Sequence, residues 1–354
     1  MVGDDEEGKH FERQTQCLAI GDGVDYEKSD VNPIIGADML PDGASKVDFR
    51  DPKIWKDENT FYVIVGNRNE DGSGQLLLYS SEDLKQWKYC GVVDKCENRY
   101  GKMWECPDMF PLEGKYVILT SPQDMCAEGL EFHSGNGTLC LIGDFDKEQV
   151  KFERETESAI DYGLDFYASQ TTETKDGRRI MIAWMQSWDN YNTPGEFRWS
   201  GQMTVPRELH IKNGRLYQLP VKELENYYAN TVNYKDVIVH EAMELEGVSG
   251  REIDMTIDIQ AGDYEEFRIQ LAKNQKFYTE ISYNAKKGIL TFDRNHAGSR
   301  RDFICQRSMK VESQDGKIRL RVVMDKYSVE IFANDGEKAM TSLIYTPMDA
   351  DKIL

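Results

Sequence analysis

Three acidic residues stand in contexts that suit proton transfer and electrostatic catalysis. Phe49-Arg50-Asp51-Pro52 sets a carboxylate beside a guanidinium and ahead of a proline that stiffens the backbone, which favours a fixed, ionised Asp51. The same four residues also read as a simple ion pair at a turn or strand start. Trp104-Glu105-Cys106-Pro107-Asp108 puts Glu105 in partly apolar company, where desolvation favours the neutral acid that a proton donor must be; a strand-end Glu beside a core Trp has the same pattern. Asp165-Phe166-Tyr167-Ala168-Ser169-Gln170 and Trp184-Met185-Gln186-Ser187-Trp188 supply polar groups with aromatic walls for a pocket, or ordinary core. Together these acids suit glycoside hydrolysis, which places carboxylates around one sugar ring. The five His residues are scattered without metal-ligand spacing, so neither a metal nor another cofactor is expected.

The elements that would carry these residues are short strands. Phe61-Tyr62-Val63-Ile64-Val65 and Gln75-Leu76-Leu77-Leu78-Tyr79 are rich in β-branched, aromatic and aliphatic residues and flank a turn at Asp71-Gly72-Ser73-Gly74. Ser81 to Trp87 reads as one helical turn. Asp51, Asp108 and Asp165 recur at intervals of 57 residues, each opening a segment that leads into an apolar strand. A period near 50 residues with several strands per unit predicts propeller blades, with Asp51, Glu105 and Asp165 converging at one mouth. Beyond Leu219-Pro220-Val221 the pattern changes. Lys222 to Tyr234 reads as a short helix or linker, and then Ile253, Met255, Ile257 and Ile259 alternate with polar residues, as do Phe267, Ile269 and Leu271. That alternation predicts a β-sandwich, and Asn334-Asp335-Gly336 marks a hairpin. The organisation is therefore 1–222 partial propeller and 223–354 sandwich.

The 354 residues carry a formal net charge of −20, which argues against nucleic acid and anionic membranes as partners. No apolar run approaches the roughly 18 residues needed to span a bilayer. Seven Cys residues without a Cys-x-x-Cys pair point to a reducing compartment, hence the cytoplasm.

These motifs resemble glycoside hydrolase family 32, the invertases, sucrose-6-phosphate hydrolases and fructan hydrolases. Phe49-Arg50-Asp51-Pro52 is similar to the family's Arg-Asp-Pro motif, and Trp104-Glu105-Cys106-Pro107-Asp108 to its Glu-Cys motif. The segments at Asp165, at Trp184 and at Met203-Thr204-Val205-Pro206-Arg207-Glu208-Leu209 resemble further family segments in the same order. The resemblance implies an all-β fold, a five-bladed propeller followed by a β-sandwich, and a retaining release of fructose from sucrose, sucrose 6-phosphate or related β-fructosides. It implies Glu105 as acid/base, Asp51 as the stabiliser that holds the fructosyl hydroxyls, and Arg50, Asp165, Tyr167 and Trp184 as further substrate contacts. The family's nucleophile lies in an Asn-Asp-Pro-Asn-Gly type segment, and no such segment occurs in this sequence. Gln14 to Ile20 resembles a strand inside the second blade, so about 100 residues, two blades at about 50 each, are expected upstream. The acidic stretch Asp4-Asp5-Glu6-Glu7 reads as a surface loop of that blade, and the C-terminus looks early for the sandwich. Two other readings stand beside hydrolysis: an inactive, sugar-binding remnant, and a propeller glycosidase of the arabinan or xylan type. Open propeller edges also predict self-association.

Overall fold

The computed structural model describes residues 2–4, 8–190, 198–298 and 304–354; of the acidic stretch, residues 5–7 lie outside the described residues. Apart from three short 3₁₀ helices, at Ala37–Met39, Trp188–Asn190 and Lys222–Tyr227, the described regular structure is all strand. The chain packs into two compact units. One comprises Met1–Ala127, Phe132–Ser158 and Ala168–Gln170; the other comprises Glu128–Glu131, Ala159–Tyr167 and Thr171–Leu354.

The first unit holds two four-stranded antiparallel sheets, each an up-and-down meander. One runs through Ala44–Asp57, Thr60–Asn69, Gly74–Ser81 and Lys88–Lys95, and the other through Met103–Leu112, Lys115–Gln123, Leu139–Asp146 and Lys151–Ser158. Their central strands are buried on both faces, as Leu76 to Tyr79 and Leu139 to Ile142 show. Layered sheets covered on both sides therefore read as continuous apolar runs rather than as alternation. The turn at Asp71-Gly72-Ser73 forms as expected: Gly72 takes φ 91° and the Asp71 carboxylate accepts from the Ser73 N–H.

A third four-stranded meander, Tyr167–Glu173, Arg179–Trp184, Arg207–Lys212 and Arg215–Pro220, falls almost entirely in the second unit. There it accompanies a sandwich of two sheets. In one, the strand order is Ile253–Gln260, Lys317–Asp325, Ser328–Ala333, Lys338–Leu343; in the other it is Glu266–Leu271, Thr279–Asn284, Ile289–Asp293, Gln306–Lys310. Ile259, Ile269, Leu271, Ile281, Leu320 and Ile331, drawn from both sheets, meet in one core. The hairpin at Asn334-Asp335-Gly336 is present, with all three residues at positive φ. Arg207 locks the meander to the sandwich from a fully buried position. It donates to Asp161 at 3.0 Å, to Gln218 at 2.7 Å and to Glu330 at 2.6 Å.

Three expectations are corrected. Ser81 to Trp87 is not helical, because the Ser81 hydroxyl and the Asp83 carboxylate accept the local N–H groups in a turn, with Leu84 at φ 66°. Gln14 to Ile20 is not one strand; Gln16 makes an isolated bridge to Ile35, and only Ala19–Gly21 pairs, with Tyr26–Lys28. The 57-residue interval is not the structural repeat. In the first strand of each sheet of the first unit the register slips, between Arg50 and Lys53 and between Glu105 and Asp108. Aligning these bulges equates Arg50 with Glu105, Asp51 with Cys106, Pro52 with Pro107 and Lys53 with Asp108, an offset of 55 residues. Asp108 is thus the counterpart of Lys53, with which it pairs at 3.3 Å.

Candidate active site

The two bulges build the site. A bulge inserts an extra residue, bends its strand and re-aims the side chains beside it. Here each consists of a residue in the left-handed region directly ahead of a proline, Asp51 at φ 61° and Cys106 at φ 49°. Cys rarely adopts that conformation and Asp somewhat more readily, and such a backbone persists where the surrounding structure over-determines it. The surroundings do so: the Cys106 N–H donates to Asp51 Oδ2 at 3.0 Å, the Thr120 hydroxyl donates to the Glu105 carbonyl at 2.8 Å, and Gln170 Nε2 donates to the Cys106 carbonyl at 3.1 Å. The second bulge thereby holds the Asp51 carboxylate of the first, while Thr120 and Gln170 fix the backbone of Glu105 and Cys106. Ala168, at φ 54°, repeats the conformation in the first strand of the third sheet, and its N–H donates to Ser121.

Close approach of the two first strands depends on Gly66, which lies opposite Arg50 in the ladder. A Cβ there would fall onto the Trp104 carbonyl oxygen. With only hydrogen in that position, Arg50 reaches across to Glu105, donating from Nε to Oε1 at 2.8 Å, with Nη2 also 2.8 Å from the same oxygen. The other edge of the guanidinium donates to Asp48 at 2.9 Å and to Gln14 at 3.2 Å. Burial alone would favour a neutral Arg50, but the hydrogen bonds to Asp48 and Glu105 outweigh it and raise its pKa further above the ordinary range. Glu105 is 9% exposed, which leaves it enclosed yet reachable.

Cys106 completes the cluster. Burial, and then the neighbouring Asp51 charge, push its thiol well up, so it stays protonated and its S–H faces Asp51 Oδ2 at 3.5 Å. This thiol is therefore a weak donor to Asp51, and its protonation argues against a role as a thiolate nucleophile.

The structure brings Arg50, Asp51 and Glu105 together. It treats the other expected contacts differently. Asp165, in the second unit, is 1% exposed, and its Oδ2 accepts from Arg294 at 2.6 Å and from the Leu343 N–H at 2.7 Å, a structural ion pair. Tyr167 is 1% exposed and belongs to the core. Trp184 stacks edge-on against Trp188 with ring centroids 5.1 Å apart. Sequence reasoning passed over Asp48, Gln14 and Gln123, which surround the Arg50 guanidinium. Asp48 had a legible signal, since residues two apart on a strand share a face. Gln14 and Gln123 are 36 and 73 residues away from Arg50 and had none.

The chain belongs to glycosyl hydrolases family 32: the family's N-terminal domain model matches residues 2–220 and its C-terminal domain model residues 223–353. It is 32% identical to an Escherichia coli sucrose-6-phosphate hydrolase, over 94% of this chain and 67% of that protein. It is 31% identical to the raffinose invertase of Escherichia coli, over 96% of this chain and 69% of that protein. Among solved structures, the Bombyx mori GH32 β-fructofuranosidase superposes with a TM-score of 0.83 at 29% identity, covering 99% of this chain and 71% of that one. The sucrose-6-phosphate hydrolase of Lactobacillus gasseri gives 0.82 at 26%, covering 99% and 72%. This chain spans about two thirds of the length of its curated relatives.

Proposed function

We propose that this chain supplies the acid/base half of a retaining β-fructosidase. The observation that carries the reading is the reciprocal pair of bulges, which fixes Asp51 and Glu105 beside one another through Arg50 and Cys106. In this reading Asp51 accepts two hydroxyls of the fructosyl ring and offsets the positive charge that develops on it. Glu105 protonates the departing oxygen as its bond to the anomeric carbon breaks, then takes a proton from the water that hydrolyses the fructosyl-enzyme. The bond to the enzyme forms to a second carboxylate. Asp51 is assigned to the hydroxyls, and the sequence contains no Asn-Asp-Pro-Asn-Gly segment to provide another.

The test is fructose release from sucrose by the purified chain, alone and with a separately made polypeptide bearing an Asn-Asp-Pro-Asn-Gly segment from a full-length relative. No release alone and release on addition are expected. Glu105→Gln should lower the restored turnover by about 10²–10⁴-fold, the usual contribution of a general acid. Robust release by these 354 residues alone would overturn the assignment of roles, because another acid would then be the nucleophile. Binding of fructose without release in either case would favour the sugar-binding remnant.

A further inference from the structure

The Arg50 guanidinium lies between two carboxylates. Its Nε donates to Glu105 at 2.8 Å, and its Nη1 donates to Asp48 Oδ1 at 2.9 Å. Arg68 takes the other oxygen of Asp48 at 2.7 Å, so each Asp48 oxygen serves a different arginine. The remaining described acceptors around Arg50 are neutral and farther away, Gln14 at 3.2 Å and Gln123 at 3.4 Å. Hydrogen bonds between ionised groups are roughly twice as strong as neutral ones, so Asp48 dominates that end of the side chain. Burial opposes the charge on Arg50, and Asp48 heads the groups that outweigh it. Asp48 is itself held from within the sheet. The Ser45 hydroxyl accepts from its N–H at 3.0 Å, and Asn67 Nδ2 donates to its carbonyl at 2.5 Å. Asn67 is fully buried, and its Oδ1 accepts from Gln75 Nε2 at 2.8 Å.

We infer that Asp48 is a positioning residue of the acid/base site: it fixes Arg50, and through Arg50 the carboxyl of Glu105, while Arg68 acts only by way of Asp48. The inference rests on the proposed roles of Asp51 and Glu105. Asp48 touches Arg50 rather than the carboxyl that moves the proton, so its effect falls on the step in which Glu105 protonates the departing oxygen. Asp51, which holds the ring, is anchored separately by the Cys106 N–H, so ring binding survives the loss of Asp48. A guanidinium released at one end pivots about its remaining bonds and carries Glu105 with it, and a misplacement of about 1 Å at a reacting group is enough to lower the rate about 10²-fold. The two arginines act in series. Removing Arg68 loosens Asp48, but once Asp48 is gone Arg68 has nothing left to hold for Arg50.

Two measurements on the whole chain test this. The first is the kinetics of fructose release from sucrose in the presence of the polypeptide bearing the Asn-Asp-Pro-Asn-Gly segment. Asp48→Ala should lower kcat at least about tenfold while KM stays within about twofold, the mark of a group that acts only in the transition state. Asp48→Asn, which keeps the shape and removes the charge, should lower kcat by at least about threefold. Arg68→Ala should cost less than Asp48→Ala, and the double variant should match Asp48→Ala alone. Unaltered kinetics in Asp48→Ala, a raised KM at unchanged kcat, or additive losses in the double variant overturns the inference. The second measurement is NMR of the arginine Nε–H groups in the chain by itself, with the Arg50 signal assigned by Arg50→Lys. Asp48→Ala should shift that signal and speed its exchange with water at least about tenfold, because exchange follows local opening. The Arg154 signal, whose Nε donates to Asp94 at 2.7 Å, should stay as it is. An Arg50 signal that is unaltered, or altered no more than that of Arg154, overturns the inference. Absence of fructose release from the supplemented wild-type chain is a separate failure, which strikes the proposed function and leaves the NMR result to decide the role of Asp48.

Discussion

Replacing Arg207 with Met should destabilise the second unit by about 3–5 kcal/mol, the usual consequence of removing one partner from a buried ion pair. The guanidinium is fully buried between the rings of Phe166 and Phe332, at 5.0 and 4.9 Å. Methionine restores much of the apolar contact, so the loss is chiefly electrostatic. Asp161 keeps the N–H groups of Gly163 and Thr341 and the Thr341 hydroxyl. Glu330, 2% exposed, keeps only the Val205 N–H among its described partners, so most of the cost falls there. Burial already pushes the Glu330 carboxyl up, with Arg207 opposing it; without Arg207 it rises further. A carboxyl raised above its unfolded value favours the folded state below the unfolded pKa and loses that contribution as pH rises. The deficit of the variant should therefore shrink toward acid pH and be largest near neutrality. Urea denaturation followed by tryptophan fluorescence measures it, and Glu330→Gln placed on the Met variant should recover more than about 1 kcal/mol, because the stranded charge is gone. A loss under about 1 kcal/mol, or no recovery from Glu330→Gln, would refute the claim that these carboxylates are buried and dependent on Arg207.

Gly66→Ala should cost at least about 1–3 kcal/mol, the range for overpacking, because the added methyl meets backbone rather than a movable side chain. It should also weaken fructose binding by parting Arg50 from Glu105, and equilibrium unfolding with NMR titration checks both. Cys106 should resist iodoacetamide at pH 8 while the exposed Cys17 and Cys126 react, since burial and Asp51 keep it protonated; peptide mass spectrometry after timed labelling shows the order, and labelling of Cys106 at a rate matching theirs would contradict it.

Much of the local structure was legible because its causes are local. Leu76 to Tyr79 form a short apolar run bounded by turn residues, the Asp71-Gly72-Ser73 turn follows from its residue types, and the alternation from Ile253 to Ile259 announced a half-buried sheet. Arg50, Asp51 and Glu105 could also be nominated, since charged groups beside proline, tryptophan and cysteine are unusual company. Which acids meet was a different matter. Counting from aspartate to aspartate gave an interval of 57 residues, whereas the strands align at 55, because a bulge is an event in the pairing of two strands and leaves no periodic mark on either. Asp165 looked like a third site acid until Arg294, 129 residues later, claimed its carboxylate, and nothing in the segment Met203 to Leu209 announced that Arg207 would be tied to Glu330, 123 residues on. The residues alone determined what chemistry was available and which stretches would be strand. Tertiary packing decided which charges face a cavity and which neutralise one another, because burial and distance set an ionised group's role and both depend on partners far away in the chain.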